Sequence, residues 1–134
     1  ENMPYHVVLR LMEALNNKGK SLKGAKILIL GVAYKKDIED MRESPSLKLI
    51  GLLKQKGADV SYNDPYIPQI QLSGEVLKSV ELSKDVLSSV DCILLATDHS
   101  SYNLEEIASC SKLLFDARGA TRKLKFDNIV RLGE

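Results

Sequence analysis

At 134 residues, 44% hydrophobic and 28% charged, the chain has room for one sizeable core and an ordinary globular composition, which argues against a disordered or membrane reading. Its formal charge is +1, with Lys and Arg interspersed among Asp and Glu, so no broad basic face is offered to nucleic acid and anion recognition must be local. No apolar stretch reaches the length of a membrane span, and the first residues lack the basic-then-apolar build of a signal peptide; the expected compartment is the cytoplasm, with no membrane partner.

The chain opens Glu1-Asn2-Met3-Pro4, with Met third, and is read as a piece of a longer protein. Pro4 at a first helical position, followed by Val7, Leu11 and Leu15 with Val8 and Met12 at i, i+4 spacing, predicts an amphipathic helix ending near Gly19. Lys18 to Gly24 reads as a short linker. The run Lys26-Ile27-Leu28-Ile29-Leu30-Gly31 reads as a buried strand, and Ser44-Pro45 as the start of a helix. The charged segment between them is therefore a strand-to-helix loop, which in an open parallel sheet lies at the ligand-binding carboxyl edge.

Ser44 as N-cap, Pro45 at N1 and Gly57 past the end bracket that helix, whose Leu47, Leu49, Ile50 and Leu53 form an apolar face. Asp59 to Asn63 is a second strand, stopped by Asp64-Pro65. Lys78 to Leu82 is expected as a short strand, Ser83 to Ser89 as a short helix and Cys92 to Ala96 as a central strand. Asn103 with Glu106 three residues on gives a capping-box-like start to a helix over Leu104 to Ser109. Lys112 to Phe115 and Asn128 to Arg131 complete the strands. The alternation predicts an α/β, Rossmann-like three-layer domain with a mainly parallel sheet, preceded by a connector helix.

Cys92 and Cys110 lack metal-ligand spacing, so no metal site is expected; Cys92 reads as a small buried strand residue and neither as a nucleophile. Each sheet strand is followed by a polar cluster: Tyr34-Lys35-Lys36, Asn63-Asp64, Thr97-Asp98-His99 and Asp116-Ala117-Arg118. In a parallel sheet these converge on one edge, where a cation, an aromatic face and carboxylates can hold a phosphorylated, base-bearing ligand. Lys35 offers a compact charge for phosphate, Arg118 a planar fork and Tyr34 a ring to pack on ribose or base. Spacing alone favours simple solvation for Lys35, Lys36 and Arg118, and a local ion pair for Arg42 among Asp37, Glu39, Asp40 and Glu43. His99 beside Asp98 invites a general-base reading, but a loop His of this kind is more often a polar surface group, and no nucleophile motif completes a triad. Asp64 faintly suggests the ribose-binding acid of a dinucleotide fold, yet Gly31-Val32-Ala33-Tyr34-Lys35 lacks the G-x-G-x-x-G spacing, which disfavours a normal NAD site.

Gly31-Val32-Ala33-Tyr34-Lys35, Asp40-Met41-Arg42-Glu43-Ser44-Pro45, Asn63-Asp64-Pro65-Tyr66, Ala96-Thr97-Asp98-His99 and Phe115-Asp116-Ala117-Arg118-Gly119 together resemble the UDP-glucose/GDP-mannose dehydrogenase family at its C-terminal UDP-binding domain. The likeness covers nearly the whole chain, in the family's order and at similar spacing. It implies that Tyr34, Lys35 and Arg118 contact the UDP portion of a UDP-sugar; many members have Phe where this chain has Tyr34. It also implies that Arg42 faces NAD held by an N-terminal domain; Asp40 and Glu43 are read from the sequence as residues that orient the loop.

In such enzymes an N-terminal Gly-rich NAD domain and a catalytic Cys in a central segment oxidise the sugar C6 alcohol to a carboxylate; neither motif occurs in this sequence, so no catalytic residue is assigned and the fragment is expected to be inactive alone. Residues 1–18 correspond by resemblance to a connector helix from a central, dimer-forming region and 19–134 to the UDP-binding domain. The implied cofactor is NAD and the implied partners are a UDP-sugar, the enzyme's other domains and further copies in a homo-oligomer. The wording Lys36-Asp37-Ile38-Glu39-Asp40-Met41-Arg42 looks closer to the UDP-N-acetylglucosamine and UDP-N-acetylmannosamine enzymes than to the UDP-glucose ones. The alternative is an assembly module with negligible nucleotide affinity of its own.

Overall fold

The structure, a computed structural model, describes residues 3–33, 36–37 and 44–133. Its elements follow in the order α1 (Met3–Asn16), β1 (Lys26–Leu30), α2 (Pro45–Gln55), β2 (Asp59–Asn63), β3 (Gln69–Leu72), β4 (Glu75–Lys78), α3 (Lys84–Ser89), β5 (Cys92–Leu95), α4 (Leu104–Cys110), β6 (Leu114–Asp116) and β7 (Ile129–Arg131). Five strands form one sheet in the order β2-β1-β5-β6-β7, and every neighbouring pair is parallel. The α/β, mainly parallel, three-layer expectation holds.

Side-chain alternation along the strands builds the two outer interfaces. Ile27, Ile29, Val60, Tyr62, Cys92, Leu94 and Phe115 face one side and meet Val7, Leu11 and Leu15 of α1 and Leu49, Ile50 and Leu53 of α2. Leu28, Leu30, Ile93, Leu95, Leu114 and Ile129 face the other side and meet Leu87 of α3 with Ile107 and Ala108 of α4. Burial on both faces is why β1 and β5 read as unbroken apolar runs. Helix starts follow their caps: the side chains of Ser44, Ser83 and Asn103 accept from the backbone N–H of Ser46, Val86 and Glu106.

Two sequence expectations are corrected. The strand expected over 78–82 is instead an antiparallel hairpin of β3 and β4, with Leu72 opposite Glu75. Ser73 and Gly74, at φ 52° and 81°, form the two-residue turn with both central residues left-handed that matches strand twist. The strand expected over Lys112 to Phe115 begins later, because its ladder pairs Ile93 with Leu114 and Leu95 with Asp116 and so extends onto the acid.

β1 has β2 on one side and β5 on the other, so the chain reverses its direction of travel across the sheet at β1. The carboxyl ends of β1 and β5 thus flank the topological switch point, where open parallel sheets bind ligands. Gly31 makes this junction possible. It sits at φ +87°, and a Cβ there would lie 2.4 Å from the Thr97 Cβ and 2.6 Å from the Thr97 carbonyl oxygen. Gly31→Ala therefore combines left-handed strain with overpacking against backbone, and is expected to lower unfolding free energy by about 2–4 kcal/mol in denaturant titration. A change under about 0.5 kcal/mol would show that the β1–β5 junction yields more easily than its packing implies.

Candidate functional site

The turn after β1 is closed by a complete set of hydrogen bonds. The Gly31 N–H donates to the Asn63 carbonyl at 2.8 Å, and the Val32 and Ala33 N–H groups donate to Asp64 Oδ2 at 2.8 and 3.0 Å. Their three carbonyls accept from side-chain hydroxyls: Gly31 from Ser46 at 3.2 Å, Val32 from Ser44 at 2.7 Å and Ala33 from Thr97 at 2.8 Å. Buried backbone groups must find partners. Here strand ends and the first turn of α2 supply them.

Asp64 is 2% exposed. Besides the two loop amides, its Oδ2 meets His99 Nε2 at 2.9 Å and its Oδ1 accepts from the Tyr66 N–H at 2.8 Å. A dinucleotide fold leaves first-turn amides free for pyrophosphate and uses an acid at the end of the second strand for ribose. In this chain the acid consumes the amides. That geometry agrees with the missing glycine spacing and removes the ribose-acid reading of Asp64.

His99 is likewise 2% exposed, packed between the Tyr66 and Tyr102 rings at 4.9 and 5.7 Å between centroids. The surface reading of this histidine is corrected: its nitrogens are spent inside the fold, on Asp64 and on the Asp37 N–H, which donates to Nδ1 at 2.7 Å. Thr97 is also buried. The expected convergence of polar clusters therefore divides, with Asp64, Thr97 and His99 turned inward as structural ties.

The side of the edge formed by β6 is more open. Asp116 is fully buried and organises the turn after β6: Oδ1 accepts from the N–H groups of Arg118 and Gly119 at 2.9 and 2.8 Å, Oδ2 from the N–H and hydroxyl of Thr121 at 2.8 and 2.6 Å. Arg131 of β7 braces the same segment by donating to the carbonyls of Thr121 and Leu124. This clamp holds the backbone of Arg118 while leaving its side chain 38% exposed, with Asp98 at a loose 3.8 Å. Arg118 also borders a small crevice of about 30 Å³ with Met3, Pro4, Val7, Pro45, Ser46, Leu49, Ala96 and Ala117. The guanidinium thus stands beside the start of α2, whose N-terminal partial charge has the same sign. A cation, an apolar floor and a helix N-terminus form an anion-accepting corner.

Of the residues singled out from the sequence, Arg118 lies at this corner; Tyr34, Lys35, Arg42, Asp40 and Glu43 lie outside the described residues. Lys36 is exposed, and His6 is exposed on α1. Burial pushes the Cys92 thiol well above its ordinary range, so it stays protonated in the strand. Sequence reasoning missed the roles of Asp37, Ser100, Thr121 and Arg131; only Asp116, inside its motif, carried a signal for such a clamp.

The sequence model described as "UDP-glucose/GDP-mannose dehydrogenase family, UDP binding domain" matches residues 28–123. A UDP-N-acetyl-D-mannosamine dehydrogenase of Methanococcus vannielii is 36% identical over 117 residues, spanning 85% of this chain and 26% of that protein. A UDP-glucose 6-dehydrogenase of Bacillus subtilis is 32% identical over 118 residues, spanning 85% of this chain and 24% of that protein. Among solved structures, the UDP-D-ManNAc dehydrogenase of Pyrococcus horikoshii superimposes with a TM-score of 0.79 at 28% identity, over 98% of this chain and 31% of that one. The chain spans about a quarter of the length of the curated relatives it matches.

The Asp116 carboxyl is held below its ordinary value of 3.8; burial pushes it up, but the Thr121 hydroxyl and the N–H groups of Arg118, Thr121 and Ala120 outweigh that. A lowered folded pKa contributes stability that is complete above the unfolded value and disappears as pH falls through the folded one. Asp116→Asn should therefore cost about 2–3 kcal/mol at pH 7, with a smaller gap to the parent at a pH well below the ordinary carboxyl value of 3.8. Denaturant titrations at both pH values check this; a gap constant with pH would mean that the charge on Asp116 does not hold the turn.

Proposed function

Because the chain belongs to the UDP-glucose/GDP-mannose dehydrogenase family, at its UDP-binding domain, we propose that it binds the nucleotide half of a UDP-sugar at the carboxyl edge of its sheet, within an NAD-dependent UDP-sugar 6-dehydrogenase. The observation that carries this reading is Arg118: half-exposed, backbone-clamped by Asp116, and beside the start of α2 at the crevice. A guanidinium fork can take a diphosphate bidentately or lie against a base, and the crevice offers an apolar floor. Tyr34 and Lys35 complete the site, the first as a ring for ribose or base and the second as a point charge for phosphate.

Recognition of the nucleotide is the role assigned to this chain. Its two cysteines are Cys92, buried and protonated, and Cys110 at the end of α4, and neither lies at the Arg118 corner. Oxidation of the sugar C6 alcohol to a carboxylate and most of the NAD contacts belong to the parts of the enzyme outside this sequence, which join through the connector helix of residues 1–18 in a homo-oligomer. NAD would supply hydride acceptance there. Within this chain Arg42 is the residue assigned to face it. Among possible substrates, the N-acetylhexosamine type is favoured by the relative from Methanococcus vannielii.

A second reading, an assembly module with negligible nucleotide affinity, draws on one observation: Met3, Tyr5 and Leu9 of α1 are 46%, 49% and 61% exposed. Calorimetric titration with UDP separates the two. Saturable binding that Arg118→Ala weakens by about 1.5–3 kcal/mol is the expected result. No binding by the parent chain would favour the assembly module, and unchanged affinity in the variant would remove Arg118 from the site.

In the full-length enzyme, Arg42→Ala is expected to raise the apparent KM for NAD roughly tenfold or more while leaving UDP affinity of the isolated chain within about twofold. Steady-state kinetics with calorimetry checks it. Lost UDP affinity with normal NAD dependence would reassign Arg42 to the nucleotide-sugar.

A further inference from the structure

The histidine that sequence reasoning left between base and surface group joins two anchors of one loop. At the near end, Asp64 Oδ2 takes the N–H groups of Val32 and Ala33. At the far end, Asp37 is held three times: its N–H donates to His99 Nδ1 at 2.7 Å, and its carboxylate accepts from the Ser100 N–H at 2.7 Å and the Ser100 hydroxyl at 2.5 Å. The two anchors are one assembly, because His99 Nε2 meets the same Asp64 Oδ2 at 2.9 Å. Tyr34, Lys35 and Lys36 fall between them in the chain.

Two details point to a role beyond filling space. An imidazole nitrogen that accepts a backbone N–H carries no proton, so His99 is fixed as the neutral tautomer with its proton on Nε2, donated to Asp64. Asp37 sits at φ 63°, a conformation that a residue other than glycine keeps only where its surroundings over-determine it. His99 and Ser100 are those surroundings.

We propose that His99 is a positioning residue for nucleotide binding: through Asp64 on one side and the Asp37 amide on the other, it fixes both ends of the segment that carries Tyr34 and Lys35. It rests on the reading of this edge as a UDP site and adds a residue that touches no ligand. A binding loop held in advance loses less freedom when the ligand arrives, so affinity depends on the anchor.

The two nitrogens can be tested separately in the isotopically labelled chain. His99→Gln places an amide donor near the Nε2 position and keeps the Asp64 bond, but leaves the Asp37 N–H without its acceptor. His99→Asn places a carbonyl near the Nδ1 position and does the reverse. Imidazole nitrogen shifts of the parent should report the Nε2–H tautomer.

In His99→Gln, the Asp37 amide should exchange roughly tenfold faster while those of Val32 and Ala33 stay protected. Its UDP affinity should fall roughly 3- to 10-fold with little change in melting temperature. His99→Asn, which keeps the acceptor for the Asp37 N–H and loses only the Asp64 bond, should weaken UDP binding less than His99→Gln does even where its melting temperature falls further. Ser100→Ala, which leaves the buried pair intact, should weaken UDP binding in the same direction by a smaller factor and serves if either histidine variant fails to fold.

An Nδ1–H tautomer in the parent, full UDP affinity in His99→Gln with an unprotected Asp37 amide, or affinity that follows melting temperature alone across the variants would each overturn the proposal. A parent chain that binds no UDP would overturn the nucleotide reading instead, and the exchange pattern would still decide whether His99 holds the loop.

Discussion

The carboxylate of Asp64 is the constraint on which the carboxyl edge depends. A strand that ends at a tight turn against a neighbouring strand leaves amides pointing inward with no water to take them, and an unpartnered buried amide costs about 1–3 kcal/mol. Asp64 accepts those of Val32 and Ala33, while Ser44, Ser46 and Thr97 satisfy the carbonyls of the same turn. The consequence reaches function: amides that a dinucleotide fold presents to pyrophosphate are used for structure. Under the proposed function, phosphate recognition at this edge falls to the Arg118 side chain and the start of α2 rather than to those amides.

That redistribution divides the edge in two. Between β1 and β5 the switch point is packed shut by Gly31 against Thr97 and by His99 between two tyrosine rings. Around the end of β6 it is open, and a second buried acid performs a different task there. Asp116 folds the turn that presents Arg118 without pairing with the guanidinium, so the cation remains exposed. Two carboxylates with the same appearance in sequence thus close one half of the edge and shape the other.

Much of the fold was legible because parallel strands buried on both faces must be continuous apolar runs, and because Ser44, Ser83 and Asn103 announce helix starts by local chemistry. The β3–β4 hairpin was not, since its turn is Ser73-Gly74 rather than a stronger Asn-Gly or Asp-Gly signal, and β4 is mostly exposed. In the site, the location of Arg118 followed from its motif at a strand end, whereas Tyr34, Lys35 and Arg42 lie outside the described residues. The inward turn of Asp64, Thr97 and His99 could not be read from spacing. A polar residue at a strand end satisfies water, ligand or backbone equally well on paper, and the choice is made by close approaches such as that of Gly31 to Thr97, which couple residues far apart in the chain.

The central claim is that this domain takes a nucleotide at the open half of its carboxyl edge. Backbone amide chemical-shift mapping during titration with UDP tests it most directly. The account predicts saturable shifts at Ala96, Ala117, Arg118 and Ser46, extending to Ala33 and Asp37 at the two ends of the loop after β1. Shifts gathered instead on the α3–α4 face around Lys84, Glu106 and Phe126, or none at saturating UDP, would contradict it.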